Sequence, residues 1–101
     1  MTRQAAGCLC GALRYEFEGE PLFACNCYCA DCRKASGSGF APVLAVSAAA
    51  VRFSGPSLAC RSKAANGNIA VRDFCPSCGG LVFGGILGES EIINIYAGSL
   101  D

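Results

Sequence analysis

The chain has 101 residues, nine of them cysteine and none histidine, and its eight Lys and Arg balance its eight Asp and Glu. A net charge of zero excludes the basic field that nucleic acid or an acidic membrane surface attracts, and no apolar run nears the ~18 residues of a membrane span. Without histidine the usual general base and the commonest zinc nitrogen ligand are missing, so any chemistry runs on thiolates, a metal, Tyr, Lys, Arg or carboxylates.

The length suits one domain, spanning residues 1–101, whose core buries only about two thirds of the surface of its unfolded chain. Nine cysteines in so short a chain exceed the ~8% that marks a sulfur-stapled scaffold. The opening MTRQAAGCLC lacks the apolar run of a signal peptide, which makes a cytoplasmic location the expectation. Thiols stay reduced there, so spaced cysteines are metal ligands or redox groups more readily than disulfides.

Cys8-Leu9-Cys10 stands just before the first predicted strand, Leu13 to Glu18, where apolar and charged residues alternate with period two. Next comes the densest cluster, Cys25-Asn26-Cys27-Tyr28-Cys29-Ala30-Asp31-Cys32. It runs into the one predicted helix, Ala30 to Ser36, with Asp31 as its expected cap and Gly37 as its stop. Strands are then predicted at Phe40 to Val46, Val51 to Ser54, Leu58 to Ser62, Ile69 to Phe74, Leu81 to Leu87 and Ile92 to Ala97, separated by Gly55-Pro56, Asn66-Gly67 and Gly79-Gly80. The fold class is therefore all-β and antiparallel, with one short helical turn after the central cysteine motif. Aromatic residues on these strands, Phe17, Phe23, Phe40, Phe53, Phe74 and Phe83 with Tyr15 and Tyr96, are expected in the core.

Two metal sites follow from the cysteine spacing. Cys75-Pro76-Ser77-Cys78-Gly79-Gly80 is a C-x-x-C knuckle whose glycines permit the turn that aims backbone amides at sulfur. With Cys8 and Cys10 it supplies four thiolates, a closed structural set. Cys27, Cys29 and Cys32 form a three-thiolate set that leaves one coordination position for water or substrate. Cys25 or Cys60 as a fourth ligand would close that position. Other uses of the cluster are an iron-sulfur site or a redox dithiol at Cys29 and Cys32, although the strand and long helix of a thioredoxin context are missing.

Four blocks in order, GCLCGALRYEF, CYCADCRKASGSGF, FCPSCGGLVF and INIYAGSLD, resemble the glutathione-dependent formaldehyde-activating enzyme family, which includes centromere protein V-like domains. The resemblance implies a zinc-bearing β-tent, with two Zn2+ per chain. Cys8, Cys10, Cys75 and Cys78 would hold the structural ion, and Cys27, Cys29 and Cys32 the catalytic one. It implies a zinc-dependent carbon-sulfur lyase that joins glutathione or a similar thiol to formaldehyde or a similar aldehyde, or cleaves the adduct. Expected substrate contacts are Arg33, Lys34, Gly37, Ser38 and Tyr28. The chain departs from the family at Tyr28, where histidine is usual, and family members generally continue past the GSLD motif, so the resemblance implies either a truncated chain lacking a C-terminal segment or a naturally short member. The competing expectation is a non-catalytic zinc module that binds a protein partner.

Overall fold

The computed structural model describes residues 3–64 and 66–101; Met1, Thr2 and Ala65 lie outside the described residues. The alternation that predicts the first strand is realised in β2 (Arg14–Glu18), where Tyr15 and Phe17 are buried between half-exposed charged residues. It pairs antiparallel with β1 (Arg3–Gly7) on one side and β5 (Val51–Ser54) on the other, giving a three-stranded sheet.

The second sheet has six antiparallel strands: β3 (Phe23–Cys27), β4 (Ala41–Ser47), β6 (Leu58–Lys63), β7 (Ile69–Phe74), β8 (Leu81–Gly84) and β9 (Ile92–Tyr96). Their spatial order is β3-β4-β9-β8-β7-β6. The helix, α1 (Ala30–Ser36), links β3 to β4, and single 3-10 turns follow β4 and β9. No helix of the described residues is long and apolar enough to cross a membrane.

Both sheets bury one face in a shared core. Leu13, Tyr15, Phe17 and Val51 come from the small sheet and its connections, and Val46, Phe83, Ile93 and Ile95 from the large one. Phe53 bridges them, with its ring centroid 5.3 Å from Tyr15 and 4.0 Å from Phe83. An isolated bridge from Ala6 to Leu100 and a two-point ion pair from Arg14 to Asp101 tie the last residues to the small sheet.

The large sheet therefore has a second face, free of this core. Period-two geometry places Cys25, Val43 and Tyr96 in one cross-strand row, and Arg72, Gly84 and Asn94 in another. This outer face positions the site described below.

The all-β expectation holds, with differences at particular elements. β1 has only alanines for an apolar signal and exists because β2 offers it a pairing edge. β3 alternates Phe23, Cys25 and Cys27, a strand period that is easily read as ligand spacing instead. β8 stops at Gly84 rather than Leu87. Gly85 takes φ +116°, and Ser90 accepts a hydrogen bond from the Ile86 amide at 2.9 Å, turning the chain. Cys29, not Asp31, caps α1: its sulfur accepts from the Cys32 amide at 3.3 Å, while Asp31 sits in the first turn. Phe23 lies on an edge strand and is 54% exposed, so it is not a core residue.

Phe83 is the largest fully buried side chain and touches the aromatic bridge. Phe83→Ala is expected to cost about 3–5 kcal/mol in a denaturant melt of the metal-loaded protein.

Candidate metal centre

Cys8 and Cys10 occupy the turn between β1 and β2. The Gly11 amide donates to the Cys8 carbonyl at 3.1 Å, and Gly11 takes φ +82°, so the chain kinks and both sulfurs point the same way. That kink removes the objection that a Cys-x-Cys pair on a regular strand faces opposite sides. Cys75 and Cys78 occupy the turn between β7 and β8, closed by the Gly79 amide on the Cys75 carbonyl at 2.8 Å.

The four sulfurs lie within 4.8 Å of one another, with Cys8 to Cys10 and Cys10 to Cys75 both at 3.7 Å. A tetrahedral ion with metal-sulfur bonds of ~2.3 Å requires sulfur-sulfur edges of about 3.8 Å. A disulfide needs about 2.05 Å, and all nine cysteines are free. Backbone amides of Leu13, Ser77 and Gly80 donate to Cys8, Cys75 and Cys78 at 3.3, 3.4 and 3.4 Å. Such donors favour thiolate, and the Leu13 amide leads in lowering the Cys8 thiol to about 6. Cys10 moves oppositely, to about 11: the Ala12 amide lowers it, but neighbouring Cys8 and Cys75 outweigh that effect. Four sulfurs this close cannot all ionise without a cation, and the donor set fits one divalent ion.

The second group contains Cys27 at the end of β3, Cys29 at the cap of α1 and Cys32 in its first turn, again within 4.8 Å of one another. Cys27 and Cys29 sulfurs are 3.4 Å apart. The Cys32 amide leads in lowering the Cys29 thiol. Cys32 is pushed up to about 12, first by burial and then by its two sulfur neighbours. Neither Cys25 nor Cys60 joins the group. Cys25 faces the same side from β3, and Cys60 is exposed on the edge strand β6. Among the described residues the three-sulfur set has no fourth cysteine in its group.

It opens on a cavity of about 460 Å3 over the outer face of the large sheet, lined by Cys25, Cys27, Cys32, Arg72, Asn94 and Tyr96 among others. Arg72 is the one cation among the lining residues, and no carboxylate lines it. Burial pushes the Tyr96 phenol above its ordinary value, against the lowering influence of Arg72.

The expected substrate contacts fall elsewhere. Arg33 and Lys34 are exposed on α1, with the Arg33 Nε donating to the Tyr28 carbonyl at 3.1 Å. Gly37 is the left-handed cap that ends the helix, and the Ser38 amide donates to the Ser36 hydroxyl. Tyr28 is 64% exposed, its ring leaning on Phe40 at 5.3 Å; adjacent side chains diverge, so a residue between two ligands need not face their ion. None of these five lines the cavity. Sequence reasoning missed Arg72 and Asn94 and left Tyr96 in the core. The available signal was an arginine inside the mostly apolar strand IAVRDF, but no spacing relates it to the cysteines.

A family model described as glutathione-dependent formaldehyde-activating enzyme matches residues 3–101. The chain belongs to this family. No curated protein matches the chain. Among solved structures, the crystal structure of a Rhodobacter sphaeroides protein is similar at a TM-score of 0.69 and 20% identity, over 96% of this chain and 87% of that one. At that identity the likeness concerns the fold. For this member of the formaldehyde-activating family, the two cysteine groups are the places where metal ions can be held.

The two groups predict different responses to substitution. Cys75→Ser breaks the closed set that carries folding free energy, on the order of 10 kcal/mol for structural zinc. Loss of cooperative thermal unfolding is expected. Cys29→Ser keeps a capping oxygen at the helix start; it should lower the metal content from two equivalents to one while leaving the melting transition in place, as elemental analysis and calorimetry on one preparation will show.

Proposed function

We propose that this chain is a zinc-dependent carbon-sulfur lyase that forms or cleaves adducts of glutathione, or a similar thiol, with formaldehyde or a similar aldehyde. The observation that carries the proposal is the three-sulfur group without a fourth protein sulfur, opening on a cavity large enough for a thiol substrate. Family membership supports the thiol and aldehyde as substrate classes. Two Zn2+ per chain are proposed, one held by Cys8, Cys10, Cys75 and Cys78, the other by Cys27, Cys29 and Cys32. Free cysteines throughout suit a reducing, cytoplasmic setting.

When bound at the open group, Zn2+ lowers the pKa of a thiol and polarises a carbonyl oxygen. The protein's own residues supply the rest. Cys27, Cys29 and Cys32 would hold the ion, with Cys27 and Cys32 lining the cavity. The mixed lining, with exposed Phe23 and Ile69 at its rim, shields the reacting sulfur from bulk water. Arg33 and Lys34, exposed on α1 and outside the cavity lining, are proposed to meet the distal carboxylates of a peptide thiol that extends beyond the cavity.

The measurement is exchange spectroscopy of formaldehyde and glutathione with and without the zinc-loaded protein. Acceleration over the spontaneous reaction, lost in Cys29→Ser, is the expected result. Absence of acceleration together with absence of thiol binding would reject the lyase reading and favour a zinc-stapled interaction module.

A further inference from the structure

Arg72 brings more donors to the cavity than the protein uses. A guanidinium has five N–H groups. Among the described residues, one terminal nitrogen donates to the Ser62 hydroxyl at 3.1 Å, and Nε is buried without a partner. It is the only buried side-chain nitrogen or oxygen so left among the described residues. A buried unpaired donor is costly and requires an explanation.

The sheet supplies the surrounding geometry. Arg72 stands opposite Gly84, and Gly84 opposite Asn94. Gly84 has no side chain, and a Cβ there would lie 3.7 Å from the Tyr96 hydroxyl oxygen, so that hydroxyl sits over the gap beside Arg72. Arg72, Tyr96 and Cys32 line the same cavity. Two donors of different chemistry, one a fixed cation and one a neutral phenol, therefore converge next to the open sulfur group. Neither faces a protein carboxylate in the cavity.

We propose that Arg72 and Tyr96 form an oxygen-anion subsite that receives the carbonyl oxygen of the aldehyde as it joins the thiol. This rests on the lyase proposal and deepens it. The placement suits an oxygen one carbon from the reacting sulfur better than a distant carboxylate, because the donors share one cavity with Cys27 and Cys32 of the open sulfur group. In the forward direction the thiol gives its proton to solvent, the thiolate lone pair forms the S–C bond and the C=O π pair moves to oxygen. Arg72 stabilises the developing charge, and the oxygen takes one proton from the Tyr96 hydroxyl, which solvent restores. No oxidant or reductant enters. In reverse the hydroxyl proton returns, C=O reforms and the S–C bond breaks.

The test uses thioacetate, whose oxygen sits one carbon from sulfur, against ethanethiol, which has none. Both are titrated calorimetrically into zinc-loaded wild type, Arg72→Gln, Arg72→Lys and Tyr96→Phe, each checked for two zinc equivalents and an unchanged melt. Arg72→Gln and Tyr96→Phe are expected to weaken thioacetate binding about ten- to a hundredfold, the range for a hydrogen bond to a charged group, with ethanethiol moved less than about threefold. Arg72→Lys should recover only part of the loss, since a point charge replaces a directed fork. Equal weakening of both probes would make Arg72 a charge balance for the thiolates and overturn the subsite; so would no weakening of either. These readouts stand apart from turnover: intact probe discrimination in a protein that fails to accelerate exchange would remove the lyase reading and leave the oxygen subsite.

Discussion

Four sulfurs converge where the two sheets meet, and the rest of the molecule depends on that convergence. Cys8 and Cys10 belong to the β1–β2 turn of the small sheet, Cys75 and Cys78 to the β7–β8 turn of the large one. Cys10 and Cys75 are 65 residues apart in sequence and 3.7 Å apart at sulfur. Closing so long a loop opposes folding entropically, and a small core of this size has little surplus to offset it. The cation proposed for these four thiolates would supply that surplus and tie one sheet to the other. The amides that donate to Cys8, Cys75 and Cys78 belong to the same turns, so local backbone shape and metal affinity support each other.

With the sheets pinned on one side, the large sheet divides its labour by face. Its inner face carries Val46, Ile93, Ile95 and Phe83 into the core. Its outer face is left to the cavity and to polar side chains that a core would exclude, including Arg72 and Asn94. The open sulfur group sits at the β3 edge of that face, and α1 is anchored to it through Cys29, which both caps the helix and joins the sulfurs. A short helix with no buried residue has little packing to position it. Its sulfur contacts take that part.

Much of this was legible along the chain because it is local. Val51–Ser54, Ile69–Phe74 and Ala30–Ser36 match their predicted bounds, since alternation, glycine stops and helix length act over a few residues. Strands β1 and β3 were not legible: one lacks apolar contrast, and the other uses cysteines for its alternation. The helix cap was misassigned to Asp31 because a thiol is a weaker acceptor than a carboxylate, yet the chain path leaves Cys29 in the capping position.

The chain alone pointed to Cys8, Cys10, Cys75 and Cys78 as one sulfur set and to Cys27, Cys29 and Cys32 as a second with Cys25 and Cys60 left open, because the C-x-C and C-x-x-C spacings limit which cysteines can reach one ion, and four ordered blocks pointed to the family. The folded chain alone shows that Cys25 and Cys60 stay out of the open group, that Arg33 and Lys34 lie off the cavity, and that Arg72 and Tyr96 line one cavity with Cys32. The physical reason is cross-strand register. Arg72 is 40 residues from Cys32 in the chain, and the two approach because β7, β8, β9, β4 and β3 are laid side by side with Gly84 leaving the space between. Non-local pairing of that kind leaves no mark on spacing or composition.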